Sequence, residues 1–168
     1  MNIEKFTEKA QTAISATQDV AVRMGHQHID GEHIHFALVS QEDGLIPKLI
    51  GYMGQNIQMY AKDIETELEK LPKVSGSGAP SIYATRRFNE ILVRAEDEAK
   101  RFKDEYTGVE HIYMTLLKEK DTPSQEIFKR YGITLEKFMS SLGKVRSNQR
   151  ITSKNPEETY DALKRFGR

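Results

Sequence analysis

The 168-residue chain contains no cysteine and no tryptophan, and it carries equal numbers of basic and acidic residues, 25 of each. Without cysteine, the chain has no disulfides, thiolate nucleophiles or thiolate metal ligands. The charge balance disfavours attraction to nucleic acid through a basic excess, so we expect no nucleic-acid partner. The sequence has no run of 18 apolar residues, and its charged start, MNIEKFTEKAQ, lacks an apolar signal segment. We therefore expect a cytoplasmic protein that does not contact a membrane.

The sequence also lacks several motifs that are typical of enzymes. It has no P-loop, no G-x-S-x-G nucleophile turn and no glycine-rich dinucleotide fingerprint. Its hydrophobic content of 38% is enough for one domain with a proper core. We therefore predict a folded chain without catalytic activity and without a cofactor of its own.

Helical periodicity dominates what is present. Apolar or small residues recur every three or four positions between Thr7, a suitable N-cap, and Gly25, a suitable helix-ending residue. No segment alternates with period two, so the sequence predicts an all-α fold without strands. Further helices are predicted to start near residue 30 and to occupy residues 44–53, 56–71, 85–102, 108–118, 123–131 and 134–142.

The pattern is duplicated without a gap. Glu-His-Ile occurs at 32–34 and again 78 positions later, at 110–112, and Thr7 falls on Thr85 under the same shift. Apolar positions and helix boundaries repeat together, which indicates one four-helix unit present twice. We expect the two copies to pack about a pseudo-two-fold axis.

The expected organisation has four parts. A first repeat spans residues 1–72, a flexible linker rich in glycine and serine spans 73–81, and a second repeat spans 82–146. Residues 147–168 would form a further linker and a last helix. The polar stretch 143–155 is expected to be loose.

The segment HIDGEHIH invites comparison with a metal site, because imidazole and carboxylate are usual zinc ligands. However, His33 and His35 are two positions apart and would face different sides of a helix. The second copy keeps only Glu110 and His111. We therefore predict no metal site, with the histidines at the surface or half-buried. Glu110 is expected to form a T-x-x-E capping box with Thr107.

Several longer stretches resemble the Clp N-domain, the double repeat that opens unfoldases of the Clp/Hsp100 family. The resemblance covers roughly residues 1–146, and the tail NPEETYDALKRFGR resembles the segment before the first ATPase module of ClpB-type disaggregases. The stretches that carry it are FTEKAQTAI, HQHIDGEHIHFAL, DGLIPKLI, the second EHI and YGITLEKF.

The resemblance implies the N-terminal domain of a hexameric AAA+ chaperone whose ATPase modules, with ATP and magnesium, lie outside this chain. The domain would collect unfolded or aggregated polypeptide for the ring, and the linker 143–155 would let it swing. Cooperation with an Hsp70-type (DnaK) chaperone would involve other regions of the parent protein. The isolated domain is expected to be a monomer.

By motif position, the resemblance assigns substrate handling to Thr7, Asp104 and Glu110. It also places Phe88, Ile91 and His111 near an apolar groove at the seam between the repeats. We expect these six residues, together with Glu32, to contribute to a polypeptide-binding site.

Glu32 and Glu110 also match the glutamate with which ClpC relatives hold phosphorylated arginine in a G-T-E-H motif. This chain reads Asp-Gly-Glu-His and Gly-Val-Glu-His, without the threonine, so that activity is not predicted. A different function stays open, namely an adaptor-docking or regulatory domain of a ClpC- or ClpA-like protease unfoldase. Direct binding of an unfolded chain would distinguish the two.

Overall fold

A computed structural model of the protein describes residues 2–74, 81–147 and 149–156. The all-α prediction is confirmed, and the helices form two successive groups of four. Within the described ranges the helices are α1 (Glu8–Met24), α2 (Gly31–Val39), α3 (Leu45–Tyr52), α4 (Ile57–Glu69), α5 (Arg86–Arg101), α6 (Val109–Lys118), α7 (Pro123–Tyr131) and α8 (Leu135–Arg146).

Helix boundaries follow local capping chemistry. The Thr7 hydroxyl accepts a hydrogen bond from the Ala10 N–H at 3.2 Å, and the equivalent Thr85 hydroxyl accepts one from the Phe88 N–H at 3.0 Å. Gly25 ends α1 with φ +74°, a left-handed conformation that glycine adopts without steric cost. The caps predicted at Thr7 and Gly25 are therefore confirmed.

Two short strands contradict the prediction of a strand-free chain. β1 (His28–Ile29) and β2 (Tyr83–Ala84) pair in parallel, and the Thr85 N–H donates to the Ile29 carbonyl at 3.0 Å. Two-residue strands are too short to produce a period-two signal in the sequence. They form because segments from the two repeats meet in space.

The same pairing occurs a second time with the repeats exchanged. Phe6 forms a parallel bridge with Thr107, and the Thr7 N–H donates to the Thr107 carbonyl at 2.9 Å. A shift of 78 positions converts the Thr7–Thr107 bond into the Thr85–Ile29 bond. The segment before the first helix of each repeat is therefore held by the loop before the second helix of the other.

The core is centred on α2 and α6, which pack against each other and are buried along most of their length. Ile34 and Leu38 of α2 and their equivalents Ile112 and Leu116 of α6 are fully buried. Burial on nearly every side places these two helices at the centre of the bundle. It also places the repeated Glu-His-Ile segments in the interior.

The prediction that residues 143–155 are loose is wrong for the residues that the structure describes. Helix α8 continues to Arg146, and Ile151 is fully buried. The predicted last helix falls beyond Pro156 and outside the described residues. Of the linker 73–81, Val74 is tied to the Gly25 carbonyl by its N–H at 2.7 Å, and residues 75–80 also lie outside the described ranges.

Two glycine-to-alanine substitutions should change stability in opposite directions. Gly132 has φ +64° and no close neighbour, so alanine there should cost about 1 kcal/mol through the backbone alone. Gly143 lies inside α8 with open space around it, so alanine there should add about 0.5–1 kcal/mol. Urea unfolding of both variants measures this, and effects of the same sign would contradict the assigned helix end.

Candidate functional site

The histidine of each Glu-His-Ile segment caps its own helix. Nδ1 of His33 accepts a hydrogen bond from the Asp30 N–H at 2.9 Å, and Nδ1 of His111 accepts one from the Gly108 N–H at 2.8 Å. The predicted capping box between Thr107 and Glu110 is therefore wrong, because His111 takes the role expected of the glutamate. The repeated histidine is explained by this shared helix start.

The cap fixes which ring nitrogen of each neutral histidine carries hydrogen. Since Nδ1 accepts, Nε2 donates: His111 Nε2 to Asp104 Oδ2 at 2.8 Å, and His33 Nε2 to His26 Nδ1 at 2.9 Å. Positions 26 and 104 are equivalent under the shift of 78. The two repeats thus place different chemistry, an imidazole and a carboxylate, at one structural position.

Most of the histidines are interior residues, which contradicts the prediction that they are at the surface or half-buried. His26, His33, His35 and His111 are at most 3% exposed, whereas His28 is half-buried. The sequence could not show this, because the helices that carry His33, His35 and His111 become central only when the two repeats pack. Within the described residues, no group of three or more histidine and acidic side chains could hold a metal ion.

Asp104 is the centre of the second-repeat site. Its carboxylate accepts from His111 Nε2, from Arg146 Nη1 at 3.0 Å and Nη2 at 2.6 Å, and from the Ile151 N–H at 2.8 Å. These four bonds use the roughly four acceptor positions of a carboxylate. Burial raises the pKa of Asp104, but the hydrogen bonds from His111, Arg146 and Ile151 outweigh burial, so the pKa is lowered.

Glu32 is the centre of the first-repeat site, and its main partner comes from the other repeat. Arg87 on α5 forms two parallel hydrogen bonds with the Glu32 carboxylate, both 2.9 Å long. The Arg87 guanidinium also binds Glu119 at 2.9 and 3.0 Å and Asp30 at 3.3 Å. The Ser124 hydroxyl donates to Glu32 at 3.0 Å.

These contacts determine the charge states of Glu32 and Arg87. Burial raises the pKa of Glu32, but Arg87 and Ser124 more than compensate, and the pKa is lowered. Burial would lower the pKa of Arg87, whereas its bonds to Glu32 and Glu119 raise it. Both groups are therefore charged at neutral pH, and their ion pair joins α2 to α5.

A chain of hydrogen bonds continues from Glu32 through the core. The Ser124 hydroxyl lies 2.9 Å from His35 Nδ1, His35 Nε2 lies 2.7 Å from the Tyr60 hydroxyl, and Tyr60 lies 2.7 Å from the Tyr113 hydroxyl. Burial lowers the pKa of His35 to about 3 and raises the pKa of both tyrosines. This interior chain is therefore uncharged beyond Glu32.

The structure separates the predicted site residues into distinct environments, and all of them are at most 8% exposed. Asp104, Glu110 and His111 lie together at the start of α6, where the Arg146 guanidinium is 3.7 Å from the Glu110 carboxylate. Glu32 lies in the separate ion pair with Arg87. The seven residues in question are Thr7, Glu32, Phe88, Ile91, Asp104, Glu110 and His111.

The expected groove at Phe88, Ile91 and His111 is therefore not open in this conformation. Phe88 and Ile91 occupy the inward face of α5 and belong to the hydrophobic core. The binding roles of all seven residues stay predictions.

Sequence reasoning missed Arg87, Arg146, Ser124 and Ile151. Arg87 follows Arg86 in the stretch RRF, and nothing local distinguishes the half-buried arginine from the exposed one. Arg146 and Ile151 lie in a polar stretch whose single isoleucine gives no periodic signal. Each of these residues acquires its role through contacts with distant segments of the chain.

The accessible part of α5 lines two concave surfaces. A shallow depression of about 400 Å³ has the exposed Val93 in its lining. A second depression, of about 310 Å³, lies between α5 and α6 and is rich in charged side chains, including Arg101 and Lys118. The lining of the first consists of Arg86, Asn89, Glu90, Val93 and Arg94.

Two four-helix repeats joined by reciprocal strand pairing define the structural class as an all-helical double-repeat domain. The family described as Clp repeat (R) N-terminal domain matches residues 5–131 and 91–162. The chain belongs to this family, and the resemblance noted from the sequence is confirmed. No described helix is long and apolar enough to cross a membrane.

Relatives and solved structures agree with this assignment. Chaperone protein ClpB of Nitratidesulfovibrio vulgaris is 47% identical over 171 residues, and that of Clostridium tetani is 45% identical over 170 residues. Both alignments cover all of this chain but 20% of the relative, so the chain spans about a fifth of the curated relatives it matches.

Among solved structures, the Hsp104 N-terminal domain from Candida albicans is similar, with a TM-score of 0.78 at 21% identity. That match covers 91% of this chain and 99% of the other. A complex of the ClpV N-domain with VipB peptide has a TM-score of 0.61 at 13% identity and covers 87% and 89% of the two chains. These similarities show that the fold is shared.

Neighbouring arginines offer a matched test of the Glu32 site. Arg87→Gln leaves buried carboxylates without their cation, so it should lower the free energy of unfolding by roughly 2 kcal/mol or more. Arg86→Gln removes an arginine whose side chain is 93% exposed, and it should change stability by less than about 0.5 kcal/mol. Urea unfolding at neutral pH compares them. Equal effects would show that the Arg87 ion pair does not stabilise the fold.

Buried neutral histidines should make the domain acid-sensitive. Burial, with His26 nearby, lowers the pKa of His33 to about 4, and burial lowers that of His35 to about 3, from 6.5. Below pH 6.5 the unfolded chain binds protons that the folded chain excludes, so stability is full above that pH and falls towards pH 4. We expect a loss of about 2 kcal/mol per histidine between pH 7 and pH 5.

Unfolding free energies at pH 7, 6 and 5 measure this dependence. In His35→Gln the side chain no longer titrates but retains polar atoms, so the slope should fall by about one proton. If the free energy of unfolding of the native chain does not change with pH, these histidines bind protons as readily in the folded state as in the unfolded chain. An unchanged slope in His35→Gln would exclude His35 as a source.

Proposed function

We propose that this chain is the substrate-collecting N-terminal domain of an ATP-dependent disaggregase chaperone. It would bind unfolded or aggregated polypeptide and pass it to a hexameric ring. The ATPase modules, with their ATP and magnesium, and any contact with an Hsp70-type (DnaK) system would belong to other parts of the parent protein. Family membership and the 47% identity to a ClpB chaperone support this proposal.

The observation that carries the binding role is the apolar depression on the outer face of α5. Val93 is 46% exposed there, beside the side chains of Arg86 and Arg94. Arginine stems extend the apolar surface while their guanidinium groups remain solvated. A shallow surface of this kind favours weak contacts with many sequences over tight capture of one ligand. Such contacts suit a collector of unfolded chains.

The interior residues would then support binding indirectly. Phe88 and Ile91 fix the inward face of α5, and Arg87 ties the start of that helix to Glu32. A rigid α5 can present Val93 without the entropy cost of ordering the helix on binding. The predicted binding residues on α5 would thereby position the surface that touches the polypeptide.

A two-dimensional NMR titration with a permanently unfolded casein-like polypeptide tests this function. Amide shifts should concentrate along α5 around Val93. Val93→Ser should weaken binding about fivefold, because roughly 1 kcal/mol of apolar contact is lost. Val22→Ser is the matched control, since Val22 is 60% exposed on α1 and does not line the depression.

Each outcome of the titration has a distinct meaning. Equal weakening in the two valine variants would indicate general hydrophobic adhesion and contradict a site on α5. Absence of saturable shifts would contradict substrate collection and favour the alternative, an adaptor-docking or regulatory domain of a ClpC- or ClpA-like unfoldase.

A further inference from the structure

Residues 149–156, here called the exit strap, follow α8 and lie against both repeats. The Glu105 N–H donates to the Ile151 carbonyl at 2.8 Å, and the Ile151 N–H donates to Asp104 at 2.8 Å. Further along, the Lys154 carbonyl accepts from the Glu8 N–H at 2.9 Å. The strap therefore bonds to the loop before α6 and to the first residue of α1.

An apolar anchor complements these bonds. Ile151 is fully buried, and its side chain lies over Gly108. A Cβ atom at Gly108 would be 3.1 Å from Ile151 Cδ1 and 2.2 Å from Glu110 Oε1. Gly108 has φ −101°, which any residue can adopt, so the backbone conformation does not require glycine here. Glycine is needed because there is no room for a side chain. The second repeat is thus shaped to receive both Glu110 and the strap.

One carboxylate joins the strap to the surrounding helices. Asp104 binds His111 at the start of α6, Arg146 at the end of α8 and Ile151 in the strap. Arg146 also donates to the Gln149 carbonyl at 2.7 Å from Nη2. Neutralising or removing Asp104 would therefore loosen the strap at two points.

The first repeat shows that its fold does not require this ion pair. Under the shift of 78, Asp104 corresponds to His26 and Arg146 to Leu68, so the first copy forms its helices with an imidazole and an aliphatic side chain at these positions. The Asp104–Arg146 pair occurs in the copy from which the chain continues past residue 156. This difference indicates that the ion pair serves to hold the strap and is not needed to fold the repeat.

We propose that Asp104, Arg146 and Ile151 form a releasable latch that holds the exit strap on the domain. Thr7 and Glu110 are positioning residues for it, since Thr7 caps the helix whose first N–H binds the strap and Glu110 shares the pocket at Gly108. Release would add eight residues to the tether, up to roughly 28 Å when extended. The longer reach of the domain rests on the proposed function, whereas the docking of the exit strap on the domain does not.

Amide hydrogen exchange in the full 168-residue chain tests the latch. In the native protein, the amides of Glu8, Glu105 and Ile151 should exchange roughly 100-fold or more slower than free peptide. Ile151→Ser keeps the bonds of Asp104 to His111 and Arg146 but removes the anchor. It should speed exchange of the strap-linked amides at least tenfold and leave α2 and α6 protected.

Two further variants complete the test. Asp104→Asn should release the strap in the same way. Glu105→Gln removes the neighbouring exposed charge and keeps the backbone bond, so it should leave exchange unchanged. Fast exchange of the strap in the native chain would overturn the proposal, and so would unchanged protection in Ile151→Ser. Loss of strap and helix protection together, at one rate, would overturn a separable latch as well.

The casein titration keeps the two proposals distinguishable. If the native chain binds no unfolded polypeptide while Ile151→Ser still frees the strap, the proposed function fails and the latch stands. If binding is present and the strap exchanges freely in the native chain, the latch fails and the function stands.

Discussion

The fold depends on backbone hydrogen bonds that each repeat receives from the other. Thr7 binds the Thr107 carbonyl, and Thr85 binds the Ile29 carbonyl in the equivalent geometry. Each of these threonines also caps the first helix of its own repeat. The exchanged bonds therefore fix where α1 and α5 begin, and through them the direction of each four-helix unit. A repeat alone would leave these polar groups without their partner, which is costly in a buried segment.

The duplicated scaffold leaves room for divergent chemistry at equivalent points. His35 of the first repeat corresponds to Tyr113 of the second, and both lie in one hydrogen-bonded chain with Tyr60 between them. Helix starts are kept because capping by His33 and His111 is a local requirement. Interior polar groups can change as long as each still finds a partner in the assembled domain. The two halves thus share shape while only the second carries the Asp104–Arg146 ion pair.

Local chemistry explains which features could be predicted from the sequence. Helix periods and the caps at Thr7 and Gly25 depend on neighbours within four residues, so the sequence contains them. The roles of Arg87 and Ser124 depend on residues more than 50 positions away, and no local pattern encodes such contacts. The histidine caps are an intermediate case. The capping residues are local, but the sequence also allows the more familiar capping box between Thr107 and Glu110, and that box was predicted instead of the one with His111.

The Glu32 site shows why matching a family motif does not by itself assign a ligand. A glutamate that binds an external guanidinium must be free to accept two parallel hydrogen bonds. In this chain Arg87 already makes those bonds and is held in place by Glu119. An incoming phosphorylated arginine would compete with a partner tethered in the same molecule, whose effective concentration is high. Its phosphate would also meet the acidic side chains that surround Arg87. The first repeat is therefore closed to such a ligand in this conformation.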